Sequence, residues 1–108
     1  MAEESILRLV RQSARKKILF LPHAVRQMSH PGRMITAQDV RRVVMSGEII
    51  EDYPEDARGH SCLLLGGGAD GRKIHVVCAP RAAYLAIITA YLPDPGEWDP
   101  ELRVRRQS

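Results

Sequence analysis

The sequence lacks the features of a membrane or secreted protein. Its 108 residues contain no apolar run long enough to span a bilayer. The opening MAEESILRLVRQ is acidic and then amphipathic, without the apolar core of a signal peptide, so we expect a cytoplasmic protein with no membrane partner. A content of 44% hydrophobic and 27% charged residues fits one globular domain over residues 1–108. We place its core at about 18–98 and expect a basic, flexible tail at 99–108.

Cysteine is scarce. Cys62 and Cys78 are spaced neither as CxxC nor as in a zinc finger, and each lies in an apolar segment, so we interpret both as buried free thiols. A zinc site built from the cysteines and histidines is disfavoured. The sequence has no HExxH, and His23 and His30 are seven residues apart rather than four. We therefore predict neither a metal ion nor a cofactor.

Charge is unevenly distributed along a mildly basic chain, with a net charge of +3 and a pI near 9.2. Residues 48–56 hold five acids and no base, whereas arginine and lysine gather in 8–17, 26–42 and 103–106. This segregation could steer a nucleic acid to one side of the molecule, or it could reflect ordinary solvated faces. Charge alone leaves both interpretations open.

Hydrophobic periodicity predicts helices followed by strands. Helices are expected at about 3–16, 22–29 and 37–46, and the third begins with a capping box formed by Thr36 and Asp39. The run ILFL before the second helix fits either a short strand or the lead-in to that helix. Period-2 alternation then predicts four strands, at 48–53, 61–67, 72–79 and 83–92. The expected fold is α+β, with two or three N-terminal helices packed on one face of a four-stranded, mainly antiparallel sheet.

Alternation also assigns side chains to the two faces of this sheet. In KIHVVC, Ile74, Val76 and Cys78 share the inward side, which leaves His75 on the open side. In the last strand, alternation groups Thr89 and Tyr91 with Leu85 and Ile87, and we assign this group to the open face.

The open face and the second helix contain the groups that RNA cleavage without a metal requires. His23 and His75 suit the general acid and base, in an order that the sequence does not assign. Arg26 and Arg33 suit the scissile phosphate, because a guanidinium binds phosphate oxygens with paired donors. Tyr91 can donate a proton or stack on a base.

Other interpretations of the same residues stay open. His23 also fits a simple surface position, and His75 fits a hydrogen-bonded inward histidine. Thr89 is predicted to position a neighbour by hydrogen bonding. Arg41 and Arg42 are candidates for binding substrate, although a solvated helix face is the simpler interpretation of both.

The order of these motifs resembles a known family. HAVRQMSHPGRMITAQDVRRVVMSGEIIEDYPED, followed by CLLLGGG, KIHVVCA and AIITAYLPDPGEW, resembles the small bacterial proteins grouped as domain-of-unknown-function family 4258. The resemblance covers roughly Leu21 to Trp98. It implies a fold similar to the RelE, barnase and colicin-type ribonucleases, and His23, Arg26, Arg33, His75, Thr89 and Tyr91 occupy its polar motif positions.

Proteins of this kind are often suspected toxins of bacterial toxin–antitoxin pairs. The resemblance therefore implies an endoribonuclease-like toxin that cleaves RNA through a 2′,3′-cyclic phosphate. RNA and a small DNA-binding antitoxin are the expected partners, and self-association into a homo-oligomer stays open. The alternative is a non-catalytic module of the same fold that binds RNA or a protein, so catalytic activity is itself uncertain at this point.

Overall fold

The computed structural model describes residues 2–107 as three helices and a five-stranded mixed sheet. The class is therefore α+β, as predicted. The helices are α1 (Ala2–Lys16), α2 (Pro22–Met28) and α3 (Ala37–Ser46). The strands are β1 (Ile18–Phe20), β2 (Glu48–Tyr53), β3 (Ser61–Gly67), β4 (Lys73–Pro80) and β5 (Leu85–Tyr91). None of the helices within 2–107 has the length and apolar character that crossing a bilayer requires.

The sheet contains one strand more than predicted, so the four-stranded expectation is wrong. Its order is β1-β5-β4-β3-β2, with β1 parallel to β5 and the other neighbours antiparallel. The run ILFL becomes a strand because β5 lies beside it: Leu85 N–H donates to the Lys17 carbonyl at 2.8 Å, and Leu21 N–H donates to the Ile87 carbonyl at 3.1 Å. Three residues carry no periodicity of their own, so only this pairing decides their conformation.

All three helices pack on one face of the sheet. Thr36 and Asp39 form the predicted capping box at the start of α3. The buried aliphatic side chains of the helices meet those of β3, β4 and β5 in a single cluster. Cys62 and Cys78 lie opposite each other on neighbouring strands inside this cluster, and the prediction of buried free thiols is confirmed. Burial of each large aliphatic side chain stabilises the fold by about 1.5–3 kcal/mol.

A bulge in the pairing of β4 with β5 corrects the predicted faces of the last strand. Val77 pairs with Thr89, but Cys78 pairs with Ile87, so one extra residue separates the two pairs on β5. Leu85 and Ile87 consequently point into the helix-covered core, whereas Thr89 lies on the opposite face. Simple alternation had placed all three together, because it cannot register an inserted residue.

The chain after β5 folds back across the face of the sheet that the helices leave free. We call residues 94–106 the C-terminal strap. Trp98 pairs with Arg105 in a short antiparallel bridge, and the Asp99 carboxylate accepts hydrogen bonds from the N–H groups of Arg103 and Val104. The region expected to be a flexible tail thus contacts the body of the protein at Leu102, Arg103 and Arg105.

Candidate functional site: a cleft beside the strap

The strap covers His75 completely. The imidazole has no exposed surface, and its ring meets Trp98 edge-to-face with centroids 4.5 Å apart. Tyr91, the residue paired with His75 across the strands, packs against the imidazole with ring centroids 5.3 Å apart. His75, Thr89 and Tyr91 therefore share one face of the sheet, but that face lies under the strap rather than open to solvent.

Both ring nitrogens of His75 have hydrogen-bond partners. Nε2 lies 2.8 Å from the Leu102 carbonyl oxygen, which can only accept, so Nε2 carries the proton. Nδ1 is then the acceptor, and the Tyr91 hydroxyl donates to it across 3.2 Å. Burial lowers the pKa of His75 and raises the pKa of Tyr91. The pair therefore consists of a neutral imidazole and a protonated phenol near neutral pH.

Ion pairs with the acidic strand β2 hold the strap in place. Arg105 donates to both carboxylate oxygens of Glu51, at 3.0 and 3.1 Å, and its guanidinium lies 4.7 Å from the centre of the Trp98 ring. Burial alone would raise the pKa of Glu51, but hydrogen bonds from Arg105 and Tyr53 outweigh it and lower that pKa. Burial, followed by the hydrogen bond to Glu51, raises the pKa of Tyr53 to about 12. Arg103 forms a second ion pair, with Glu48.

A polar cleft of about 240 Å³ lies beside the His75–Tyr91 pair. Its walls come from α2, from the loop after α2, from the end of β5 and from the strap. The lining residues are Gln27, Arg33, Tyr91, Leu92, Asp94, Glu97, Trp98 and Arg105. Arg33, Arg105 and Tyr91 supply donors for one phosphate of a nucleic acid, and the carboxylates of Asp94 and Glu97 in the same lining oppose an anion.

Helix α2 contributes one residue, Gln27, to the lining of this cleft. His23 and Arg26 are exposed, while Ala24 and Met28 on the other side of the helix are buried in the core. His23 lies one helical turn before Gln27, so both side chains occupy the same side of α2. Gln27 reaches the cleft and accepts a hydrogen bond from Arg33.

The structure brings only part of the predicted constellation together. Arg33 and Tyr91 line the cleft directly, and His75 contacts it through Tyr91. His23 and His75 are not neighbours, because α2 packs on the helix-covered face whereas the His75 side chain points to the opposite one. Arg41 and Arg42 are exposed on α3, and neither they nor Thr89 belong to the cleft lining given above.

Sequence reasoning missed the residues that the strap contributes. Arg105 enters the site from the tail that was expected to be mobile, and Glu97 and Trp98 enter it from the end of the predicted core. The available signal was electrostatic: the acid-rich stretch 48–56 and the basic stretch 103–106 have opposite charges, and Glu48 and Glu51 do pair with the strap.

Candidate metal ligands do not converge in the part of the chain that the structure describes. No three side chains of His, Cys, Asp or Glu within 2–107 form a group that could hold a metal ion. His60 instead pairs with Asp52 at the far end of β2, and the two thiols lie inside the aliphatic core.

The family comparison covers most of this architecture. Residues 20–92 match the family described as Domain of unknown function (DUF4258). The match runs from the end of β1 to the residue after β5, so it includes Arg33, His75 and Tyr91 and leaves out α1 and the strap. Comparisons with curated proteins and with solved structures found no match. Because the family model covers well over half of its length, the chain belongs to the DUF4258 family.

Proposed function

We propose that the protein is a metal-independent, endoribonuclease-like toxin that binds RNA in the cleft beside the strap. The observation that supports this most directly is that Arg33, Arg105 and the protonated Tyr91 line the same cleft. Planar guanidinium groups bind phosphate oxygens with paired donors, and a phenol can exchange a proton with a ribose hydroxyl. The site needs no metal for either task.

The fold and the partner belong to the same proposal. Three helices on one face of a twisted sheet support a relationship to the RelE, barnase and colicin-type ribonuclease fold. A small DNA-binding antitoxin, encoded beside this protein, would inhibit it by covering the cleft and the exposed side of α2.

Cleavage would begin with removal of the 2′-hydroxyl proton. Tyr91 accepts that proton at its oxygen while its own proton passes to Nδ1 of His75, along the hydrogen bond already present. The 2′-oxygen then forms its bond to phosphorus, and Arg33 and Arg105 stabilise the charge on the phosphorane oxygens. Glu51 stabilises the imidazolium that forms, since its carboxylate favours the charged state of His75.

The second half of the reaction breaks the bond from phosphorus to the 5′-oxygen. We assign His23 to this step, because it is exposed and lies on the same side of α2 as Gln27, which lines the cleft. A protonated His23 would donate to the departing 5′-oxygen and leave a 2′,3′-cyclic phosphate. Arg26, one turn along the same exposed side, would contact a neighbouring phosphate.

One observation favours the non-catalytic alternative. His75 is fully buried, both of its nitrogens are occupied, and Arg105 is already paired with Glu51. A cleft of this kind could bind RNA or an acidic protein segment without breaking a phosphodiester bond. The experiment below distinguishes the two functions.

The test is incubation of the purified protein with single-stranded RNA in EDTA, followed by analysis of the ends. Tyr91→Phe keeps the ring but removes the hydroxyl, and it should lower the cleavage rate by about 10²-fold or more while RNA affinity changes little. The matched control is Tyr84→Phe, which should cleave normally, because Tyr84 lies just before the start of β5, at the end far from Tyr91. Binding without cyclic-phosphate ends in the unmodified protein would select the binding module, and cleavage that EDTA abolishes would contradict the metal-independent mechanism.

A further inference from the structure

Arg72 reaches from the turn between β3 and β4 into the loop that joins α2 to α3. Its guanidinium donates to the carbonyl oxygen of Arg33 and, at 3.1 Å, to the carbonyl oxygen of Met34. Arg33 lines the cleft, and Met34 is the next residue along the chain. Arg72 therefore binds the stretch of backbone from which the Arg33 side chain projects.

Two carboxylates lie on the other side of Arg72. Asp70 pairs with its Nε at 2.5 Å. The buried carboxylate of Asp39 lies 3.6 Å from a terminal nitrogen of Arg72 and accepts hydrogen bonds from the N–H groups of Thr36 and Ala69 at 2.9 and 2.7 Å. Burial by itself would raise the pKa of Asp39, but these hydrogen bonds outweigh it and lower the pKa. The carboxylate is consequently charged, and it joins the start of α3 to the β3–β4 turn.

Two backbone features show how closely these segments approach each other. A Cβ atom on Gly68 would lie 2.8 Å from an oxygen of Asp39, so only glycine permits the turn to come this near. Met34 has a φ of 47°, in the left-handed region that an ordinary side chain disfavours. Such a conformation persists when its surroundings fix it, and the two bonds from Arg72 to the carbonyls at 33 and 34 provide that restraint.

We infer that Arg72, held by Asp39, is a positioning residue for phosphate recognition, which keeps the Arg33 guanidinium in the cleft beside Gln27. The inference rests on the proposed function, because it assigns Arg33 to a phosphate. Arg72 acts through the backbone and does not touch the RNA. Lysine cannot replace it, since a single ammonium group lacks the planar set of donors that spans two carbonyls and a carboxylate.

The first test is a double-mutant cycle on the affinity for a single-stranded RNA oligonucleotide. Arg33→Ala should weaken binding about tenfold and reduce the salt dependence by about one phosphate contact. Arg72→Lys keeps the charge and should weaken binding nearly as much, whereas the double variant should bind no more weakly than Arg33→Ala alone. The control is Arg58→Lys, which should leave affinity unchanged. Arg58 pairs with Asp56 in the loop before β3, at the end of that strand far from Arg72.

The outcomes separate the inference from the proposed function. If Arg33→Ala binds RNA as tightly as the unmodified protein, the proposed function fails. If Arg33→Ala weakens binding but Arg72→Lys does not, the positioning role is overturned. Full additivity in the double variant would also overturn it, because Arg72 would then act independently of Arg33.

Hydrogen exchange provides a readout that does not depend on RNA. The amides of Arg33, Met34 and Ile35 bond to carbonyls of residues 30 and 28 at 2.8–3.2 Å. In Arg72→Lys these three amides should exchange about tenfold faster or more, while amides in the centre of the sheet keep their protection. Unchanged exchange at 33–35, or an equal loss of protection throughout the sheet, would contradict a local positioning role.

Discussion

The two faces of the sheet are covered by different kinds of structure. Three helices cover one face, and the contact is made by aliphatic side chains such as Val43, Leu64 and Val76. A strap without a helix or strand of its own covers the other face, where it contributes Trp98 and a carbonyl that binds His75. Hydrophobic burial dominates one face, where a few hydrogen bonds such as that from Ser13 to the Arg81 carbonyl add to it, and the other face is joined by aromatic packing, hydrogen bonds and ion pairs.

This difference separates stability from function within one small domain. The aliphatic cluster itself contains no carboxylate, guanidinium or imidazole, and the buried Asp39 carboxylate lies at its edge, where α3 meets the β3–β4 turn. The charged groups that line the cleft lie outside this cluster, with Arg33 in the loop after α2 and Asp94, Glu97 and Arg105 in the strap. The attachment of the strap should therefore respond to protonation and to phosphate more strongly than the aliphatic cluster does.

The largest expected effect is the loss of Trp98, which is 2% exposed under the strap. Trp98→Ala should lower the free energy of unfolding by about 3–5 kcal/mol, because it removes the largest side chain buried on that face. Leu64→Ala, in the aliphatic cluster, should lower the free energy of unfolding by a comparable amount, about 2–5 kcal/mol. Denaturant unfolding measures both.

A position on the same strap provides the control for Trp98. The Val104 side chain is 62% exposed, and Val104→Ala should change stability by about 0.5 kcal/mol or less. If Trp98→Ala also costs less than about 1 kcal/mol, the strap contributes little to the fold and the two faces are not comparable layers.

A smaller effect is expected from pH. Burial lowers the pKa of His75 below its ordinary value of 6.5, so the unfolded chain binds a proton at this residue more readily than the folded one. Stability should therefore be constant above pH 6.5 and fall as the pH drops below it, with a slope of at most about 1.4 kcal/mol per pH unit. Glu51 on β2 partly offsets this loss and Arg105 on the strap adds to it.

Substitution of single histidines isolates this pH effect. His75→Gln should flatten the dependence of the unfolding free energy on pH between 5 and 7, measured in urea at each pH. His30→Gln, in the exposed loop after α2, should keep the dependence of the unmodified protein. A slope that survives in His75→Gln would mean that another group on the strap-covered face controls the attachment.

The sequence predicted the elements that have a periodic pattern of apolar residues, and it missed the features that depend on distant partners. Helix α3 was identified correctly because its capping box and apolar spacing are local. Strand β1 was undecided and the faces of β5 were partly wrong, because parallel pairing and a bulge are set by neighbouring strands. The helical layer could be predicted well, and the edges of the sheet could not.

The candidate site shows the same limit. Arg33 and Tyr91 were identified from residue chemistry, and both line the cleft. The burial of His75 could not be foreseen, because it depends on a strap that has no periodic pattern and that attaches through single pairs such as Glu51 with Arg105. The roles of His23 and His75 in catalysis stay predictions.

The smallest expected effect on stability comes from Glu51→Gln, which removes the ion pair between β2 and the strap. Glutamine keeps the shape of the side chain but removes the charge that pairs with Arg105. The Arg105 side chain is 58% exposed, so the loss of this pair should cost less than about 1 kcal/mol in denaturant unfolding. RNA affinity should instead rise by about two- to fivefold, because phosphate no longer competes with a carboxylate for the guanidinium.

Glu48→Gln is the matched control on the same strand, since it releases Arg103, which is not among the residues that line the cleft. If both variants raise affinity equally, net charge explains the gain and the cleft does not. If Glu51→Gln lowers affinity, the carboxylate holds Arg105 in its binding position rather than competing for it, and RNA must then bind while the ion pair stays closed. A gain for Glu51→Gln alone would show that the strap-covered face exchanges an internal carboxylate for an external phosphate, which the aliphatic cluster has no group to do.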